Sequence, residues 1–130
     1  MFRLVKVINS NTQCETHFLS FDPSTEIGAG CAVSAASGFA ESPTATSSPD
    51  YVSLSSTDIA DTNKIPAILV TEDMIFRVEY TGSIAAVMGM NVGLATKENK
   101  MDSVTYNNSG KGTIVGLDDD KRFVYVRFRK

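Results

Sequence analysis

The C-terminal stretch reads Gly110-Lys-Gly-Thr-Ile-Val-Gly-Leu-Asp-Asp-Asp-Lys-Arg-Phe-Val-Tyr-Val-Arg-Phe-Arg-Lys130. Two runs rich in β-forming residues, 113–117 and 122–128, flank the polar cluster 118–121. That cluster is short enough to close an antiparallel pair, so the stretch predicts a β-hairpin. Glycine tolerates positive φ and close backbone approach, so we expect a bulged or tightly bent first strand. The glycines concerned are Gly110, Gly112 and Gly116.

The second run of this hairpin has the period of two that a β-strand requires. One face carries Val124, Val126 and Phe128. The opposite face carries Phe123, Tyr125 and Arg127. Because both faces bear large apolar groups, we expect this strand to lie in the centre of a sheet.

Upstream, alternation between apolar and polar residues is clearest over residues 74–81. Residues 84–88 favour a turn or a short helical piece, because Ala and Met permit a helix while Gly89 and Gly93 oppose a long one. The two N-terminal runs, residues 2–8 and 12–21, look like a hairpin. Together with the C-terminal pair, the pattern gives seven to nine short strands, the spacing of a sandwich or barrel. We expect further strands at residues 2–8, 12–21, 65–71, 74–81, 92–96 and 101–106.

The sequence therefore predicts an all-β or mostly β fold, a small antiparallel barrel or sandwich. With 130 residues, the chain is long enough for one domain with a real core. We expect that single domain to cover residues 1–130.

Residues 34–57 differ in composition from the rest of the chain, since Ser, Thr, Ala and Pro dominate there. Phe39 and Tyr51 are the only large apolar side chains between Val33 and Val52. Such a segment buries little surface, so we expect a long loop or an extended arm. Two interpretations stay open: a surface excursion without function, or an ordered arm whose Phe39 and Tyr51 anchor it in a partner's pockets.

Charge and hydropathy restrict the partners. The chain carries 12 Lys and Arg against 15 Asp and Glu, a net charge of −3, which argues against a general nucleic-acid binder. The apolar N-terminal run stops at Asn9, too early for a signal-peptide core or a membrane span. We therefore expect a soluble protein made in the cytoplasm, without membrane or direct nucleic-acid contact. Five basic residues in the last ten positions are candidate contacts for an acidic partner: Lys121, Arg122, Arg127, Arg129 and Lys130.

The residues that usually carry chemistry are sparse. His17 is the only histidine, and Cys14 lies three positions before it, so a strand would point the two side chains to opposite faces. Cys14 and Cys31 belong to no CxxC motif, and buried free thiols are the expected state. The run of three aspartates at 118–120 lacks the spacing of a calcium loop. We expect no catalytic residue, no cofactor and no metal.

Two classes of binding protein remain. Residues 112–118 followed by 123–128 suggest an SH3-like or OB-like barrel that binds single-stranded nucleic acid or a protein partner. In that case Phe123, Tyr125 and Arg127 would form a stacking and cationic surface. The other class is a structural protein that docks on a larger assembly.

The order of several runs in the second half of the chain resembles that of small capsid decoration (cement) proteins of tailed bacteriophages. The runs are Ile-Leu-Val-Thr-Glu-Asp, Met74-Ile-Phe-Arg-Val-Glu-Tyr80, Val87-Met-Gly-Met-Asn-Val-Gly-Leu94, Gly112-Thr-Ile-Val-Gly-Leu-Asp118 and Val124-Tyr-Val-Arg-Phe128. The resemblance implies a virion structural protein that is made in the host cytoplasm and binds the outside of an assembled capsid. It also implies the major capsid protein as partner, a homo-oligomer with a trimer favoured, and stabilisation of the shell.

On this hypothesis, binding to the assembled state alone lowers the free energy of that state, and many copies multiply the effect. The candidate contacts would be Phe39 and Tyr51 in the arm. Arg127 and Arg129 near the chain end would be ionic partners.

Overall fold

The structure is a computed structural model that describes residues 1–9, 11 and 13–130. It is an all-β fold, as predicted, and within these ranges the helical structure is limited to a 3₁₀ turn, Thr57–Ile59. The described strands are β1 Arg3–Val7, β2 Thr16–Ser20, β3 Ala32–Val33, β4 Tyr51–Ser53, β5 Lys64–Leu69, β6 Met74–Tyr80, β7 Asn91–Lys97, β8 Lys100–Tyr106, β9 Gly112–Leu117 and β10 Phe123–Phe128.

Five strands close into a barrel in the order β6-β10-β9-β7-β8, and β8 pairs with β6 to complete the ring. Antiparallel neighbours must alternate in direction, and five strands in a ring cannot alternate throughout. One pair must therefore be parallel, and it is β6–β8, with Glu79 opposite Ser103 and Tyr80 opposite Val104. The prediction of a small β-barrel is confirmed, with this one parallel seam. Strand β1 extends the sheet beyond the ring by pairing with β6.

The barrel interior follows the predicted alternation. Along β6, every second residue from Met74 to Tyr80 is buried, and β10 alternates in the same way. Strand β10 lies between β6 and β9, so its predicted central place is confirmed. The Phe76 and Phe128 rings lie 6.3 Å apart in the core. Full burial of such a side chain contributes about 1.5–3 kcal/mol, so these two strands supply much of the stability.

Two glycines let β9 approach its neighbours closely. A Cβ at Gly110 would lie 2.1 Å from the carbonyl oxygen of Val92, and one at Gly112 would lie 2.9 Å from Val126 Cγ1. The register of β9 against β10 also shifts between Tyr125 and Val126. The predicted bulged first strand of the hairpin is therefore confirmed.

The second sheet, in the order β2-β5-β4-β3, packs on the barrel and is covered on its other face. Ala32 and Val52 join the barrel core, while the alternate residues Val33 and Ile65 face away from it. A smaller outer core covers that second face, and its other buried members are Phe21, Ile27, Cys31 and Ala40.

The predicted hairpin between the first two strands is wrong. Leu4 in β1 lies opposite Phe76 in β6, whereas Phe18 in β2 lies opposite Pro66 in β5. The strands separate because their apolar residues enter different cores: Phe2 packs in the barrel core and Leu19 against the outer core. Thr12, where the second predicted run begins, lies outside the described residues.

The structure does not show the long Ser/Thr/Ala/Pro-rich arm. Residues 34–57 contain β4, and Ser34 and Glu41 form an isolated antiparallel bridge. Ala40 is 1% exposed, and its N–H donates to the Ser20 carbonyl at 2.8 Å. Small residues let the backbone lie against the body and satisfy its hydrogen bonds there, so few large side chains are needed to order it.

Of the two alternatives predicted for residues 84–88, the turn is confirmed and the short helical piece is absent, since the described residues 81–90 contain bends and turns. Gly89 has φ +85°, outside the right-handed helical region. Its N–H donates to Ile114, and the N–H of Ile114 donates to Met90, so this segment is tied to β9.

Candidate functional site

One end of the barrel carries a groove between the loop at residues 82–86 and the turn that joins β9 to β10. We call it the barrel-end groove. Its volume is about 610 Å³, within the range of small-molecule and peptide-side-chain pockets. The residues that define its walls and floor are Tyr80, Gly82, Ile84, Ala86, Leu117 and Phe123.

The loop wall of the groove is held by Tyr80, the last residue of β6. Its buried hydroxyl donates a 2.5 Å hydrogen bond to the Ile84 carbonyl. Burial raises the pKa of Tyr80 above its usual value, so the hydroxyl keeps its proton as a donor at neutral pH. A Cβ at Gly82 would lie 2.3 Å from that hydroxyl oxygen, so the loop can pass this close only with glycine there.

The opposite wall is the turn at residues 118–122, and ion pairs fix it. Arg77 Nε donates to Asp118 Oδ2 at 2.5 Å, and Arg122 Nη2 donates to Asp120 Oδ2 at 3.0 Å. These hydrogen bonds, from Arg77 and Arg122 respectively, lower the pKa values of Asp118 and Asp120. Arg77 also stacks on Phe123, with its guanidinium carbon 3.8 Å from the ring centroid. The wall is therefore charged but internally compensated.

Exposed apolar side chains mark this end of the molecule. Ile84 and Leu117 line the groove and are 53% and 50% exposed. Val87 and Met88 follow in the same segment and are exposed as well. Scattered exposed apolar residues are ordinary, but a pair of them facing a concave surface, as Ile84 and Leu117 do, indicates an interaction site.

A polar pocket lies next to the groove and shares Phe123 with it, and Arg77 in this pocket pairs with Asp118 of the turn wall. Lys97 Nζ lies 2.7 Å from Glu79 Oε2 in this pocket. The hydrogen bond to Glu79 raises the pKa of Lys97. Glu79 thus compensates Lys97, and the N-terminal ammonium lies 3.8 Å from Asp102 Oδ2, while Arg3 adds a further positive charge to the lining.

The four contact residues predicted from the sequence lie away from the barrel-end groove. Phe39 is in the loop after β3 and is 53% exposed. Tyr51 packs against the outer core, and its hydroxyl oxygen lies 2.7 Å from His17 Nδ1, so it is not a free anchor. Arg127 donates to the Glu72 carbonyl, and Arg129 donates to the Gly110 carbonyl at 2.6 Å.

The surface proposed for stacking is only partly open. Arg77 covers one face of Phe123, Tyr125 is half-buried, and Arg127 is exposed at the end of β10. Their alternation along the strand was predicted correctly. The cation that stacks on Phe123 comes from β6 and could not be found from local sequence.

Sequence reasoning missed the groove because it depends on Ile84 and Leu117, which are 33 positions apart. The available signal was the cluster Ile84, Val87 and Met88 in a segment bounded by glycines. The pattern of that cluster permits a turn or a short helical piece, and neither indicates that Leu117 lies beside it.

The groups that usually carry chemistry are placed as follows. His17 Nε2 lies 3.3 Å from Glu15 Oε2, and the imidazole therefore has partners on both sides. Both cysteines are free, with Cys14 exposed and Cys31 buried, so the expectation of a buried thiol is right for Cys31 alone. Burial raises the pKa of the Cys31 thiol.

Within residues 1–9, 11 and 13–130, no group of three or more His, Cys, Asp or Glu side chains is arranged to hold a metal ion. Nor does the described part of the chain contain a helix of the length and hydropathy needed to cross a membrane. Comparisons with protein-family models, curated proteins and solved structures gave no match.

Proposed function

We propose that this chain is a structural protein that binds a larger protein assembly by taking an apolar segment of it into the barrel-end groove. The observation that carries the proposal is the half-exposed pair Ile84 and Leu117 over a groove with two fixed walls. Walls that are already ordered reduce the conformational entropy lost on binding. A concave apolar surface with a polar rim is the usual anatomy of a protein-binding site.

The expected affinity of one groove is modest. Burying the exposed half of Ile84 and Leu117 contributes roughly 1 kcal/mol each. The rim adds little, because Asp118 and Asp120 already have intramolecular arginine partners. Tight attachment therefore requires many copies on one surface, where multivalency raises the overall affinity.

The assembly we propose is the shell of a tailed bacteriophage, with its major capsid protein as the partner. The support is the resemblance of the second half of the chain to capsid decoration proteins. Two of the resembling runs, 87–94 and 112–118, lead away from the loop wall and into the turn wall of the groove. Binding to the assembled shell, and not to free subunits, stabilises the shell by mass action.

The test uses empty shells assembled from the major capsid protein that the same genome encodes. Wild-type chain is mixed with the shells and separated on a density gradient. We expect wild type to sediment with the shells and Leu117→Ser to bind about fivefold more weakly per copy. Leu54→Ser is the matched control, since Leu54 is 48% exposed and does not line the groove.

Equal binding by Leu117→Ser and Leu54→Ser would overturn the groove as the contact surface. No sedimentation of the wild type with the shells would overturn the shell as the partner, as would a genome that encodes no capsid protein.

A barrel module for single-stranded nucleic acid is the second candidate. The observation that favours it is the Phe123 ring with two guanidinium groups near it, Arg77 at 3.8 Å and Arg122 at 5.7 Å from the ring centroid. Base stacking on such a ring is worth about 1–3 kcal/mol. Asp118 and Asp120 neutralise both arginines, so shell docking stays the preferred function. Oligonucleotide binding that weakens steeply with salt would reverse this order.

A further inference from the structure

We infer that a second copy of this chain pairs antiparallel with strand β2 and joins two four-stranded sheets into one. This surface lies apart from the barrel-end groove and does not depend on the function proposed above. Strand β2 is an outer strand of the second sheet, and within the described residues it pairs with β5 alone.

The hydrogen bonds to β5 show which backbone groups of β2 point outward. Leu69 N–H donates to the Glu15 carbonyl, and Phe21 N–H donates to the Asn63 carbonyl. In an antiparallel ladder the bonding direction alternates from residue to residue. The odd-numbered residues of β2 therefore face β5, and the N–H and C=O groups of Thr16 and Phe18 face outward.

The open part of this edge is short. The Ser20 carbonyl accepts a 2.8 Å hydrogen bond from Ala40 N–H, so the loop after β3 occupies the edge beyond Phe18. Two outward residues remain, Thr16 and Phe18. Phe18 is 70% exposed, among the highest exposed fractions of the large apolar residues.

Strand β2 lacks the features that usually protect a sheet edge. It contains no Lys, Arg or Pro, and its register with β5 is regular along its whole length. The outer edge of β1 provides the contrast within the same molecule. That strand is bulged between Leu4 and Lys6 and also carries Arg3. Protection of one edge and not of the other indicates that β2 is used for pairing.

The chemistry of the strand fits a second copy of itself. With a twofold axis at His17, Thr16 of one copy lies opposite Phe18 of the other, and the free backbone groups form roughly four hydrogen bonds. On the opposite face, Glu15 lies diagonal to the imidazole of the other copy's His17. Glu15 Oε2 already lies 3.3 Å from His17 Nε2 within one chain, so the axis adds a second carboxylate–imidazole contact of the same kind.

The first test measures solution mass against protein concentration by light scattering and sedimentation equilibrium. We expect a mass near twice 14.0 kDa at high concentration. Phe18→Lys should raise the dissociation constant at least about tenfold, because it places a cation and its hydration at each end of the new pair. Met88→Lys is the control, because Met88 is 59% exposed in the segment that is bonded to β9 of the other sheet, and its substitution should leave the dimer intact.

A monomer at all concentrations, or a trimer, would overturn the inference. So would a dimer that Phe18→Lys leaves unchanged while circular dichroism shows both variants folded.

The second test examines the register by cross-linking in a Cys14→Ser background. Residues 17 of the two copies form a non-hydrogen-bonded pair with Cα atoms about 4.5 Å apart, a distance that a disulfide spans. His17→Cys should therefore form a covalent dimer on mild oxidation, and Thr16→Cys should not. Cross-linking of Thr16→Cys in place of His17→Cys would overturn the register. Cross-linking of neither, for a dimer in solution, would overturn pairing through β2.

Discussion

Arg77 and Asp118 join β6 to the turn after β9 through a 2.5 Å hydrogen bond between Nε and Oδ2, across 41 positions of sequence. The same guanidinium lies on the Phe123 ring. One arginine thus holds a carboxylate and an aromatic ring on the wall of the barrel-end groove, and the wall is formed before any partner arrives.

Acid should weaken this link. Arg77 lowers the folded-state pKa of Asp118 below the ordinary value of 3.8, so the stabilisation is present above that value and is lost as the pH falls through the lowered one. We expect Asp118→Asn to lower the urea midpoint at neutral pH and to approach wild type as the pH falls below 3.8 and through the lowered pKa. In an Arg77→Gln background the same substitution should have little effect on the pH profile. An unchanged difference across the whole range would contradict the assignment to this pair.

The Tyr80 hydroxyl should be needed for the order of the loop wall. Tyr80→Phe removes the hydrogen bond to the Ile84 carbonyl, and we expect a loss of about 1 kcal/mol in the free energy of unfolding. Amide exchange in residues 82–86 should also become faster. Tyr106→Phe is the control, because its hydroxyl contacts an exposed Asn108 side chain and should contribute less. Equal losses in both variants would show that the buried hydroxyl has no special role.

The barrel core should tolerate truncation poorly. Phe76 is fully buried and contacts the rings of Phe2 and Phe128, so Phe76→Ala should cost about 3–5 kcal/mol in denaturant unfolding. Phe39→Ala removes a ring of the same size from the surface and should change the free energy of unfolding by no more than about 0.5 kcal/mol. A small effect of Phe76→Ala would mean that the barrel interior is looser than its burial indicates.

The two thiols should react at very different rates. Cys14 is exposed, whereas Cys31 is 3% exposed and has its pKa raised by burial. Since the thiolate is the reactive form, a thiol reagent should modify Cys14 quickly and Cys31 only on unfolding. Cys14→Ser should remove the fast phase. Two fast phases in the folded protein would contradict the buried position of Cys31.

The sequence was sufficient to predict those strands in which apolar and polar side chains alternate visibly. Strands β6 and β10 alternate visibly because each is buried on one face of a closed barrel, and both were predicted with nearly the observed bounds. The sequence was not sufficient to predict which strands pair with each other. The pattern of β1 and β2 permits a hairpin, and only the positions of Phe76 and Pro66 on distant strands decide otherwise.

The candidate site was out of reach for a related reason. A groove is a relation between segments, and neither Ile84 nor Leu117 is unusual in its own neighbourhood. The prediction for residues 34–57 was wrong for a different reason. Their composition suggested low burial, but hydrogen bonds such as Leu94 N–H to the Ala45 carbonyl hold this backbone against the barrel.

The parallel seam between β6 and β8 is the part of the barrel where local opening should be easiest. It contains two register pairs, continued by the 2.9 Å hydrogen bond from Thr81 N–H to the Val104 carbonyl. The loop of the barrel-end groove leaves β6 at this point, so a segment held in the groove would tie this loop to the turn between β9 and β10. Occupancy of the groove would then act as a latch, and the bound protein would unfold more slowly than the free one.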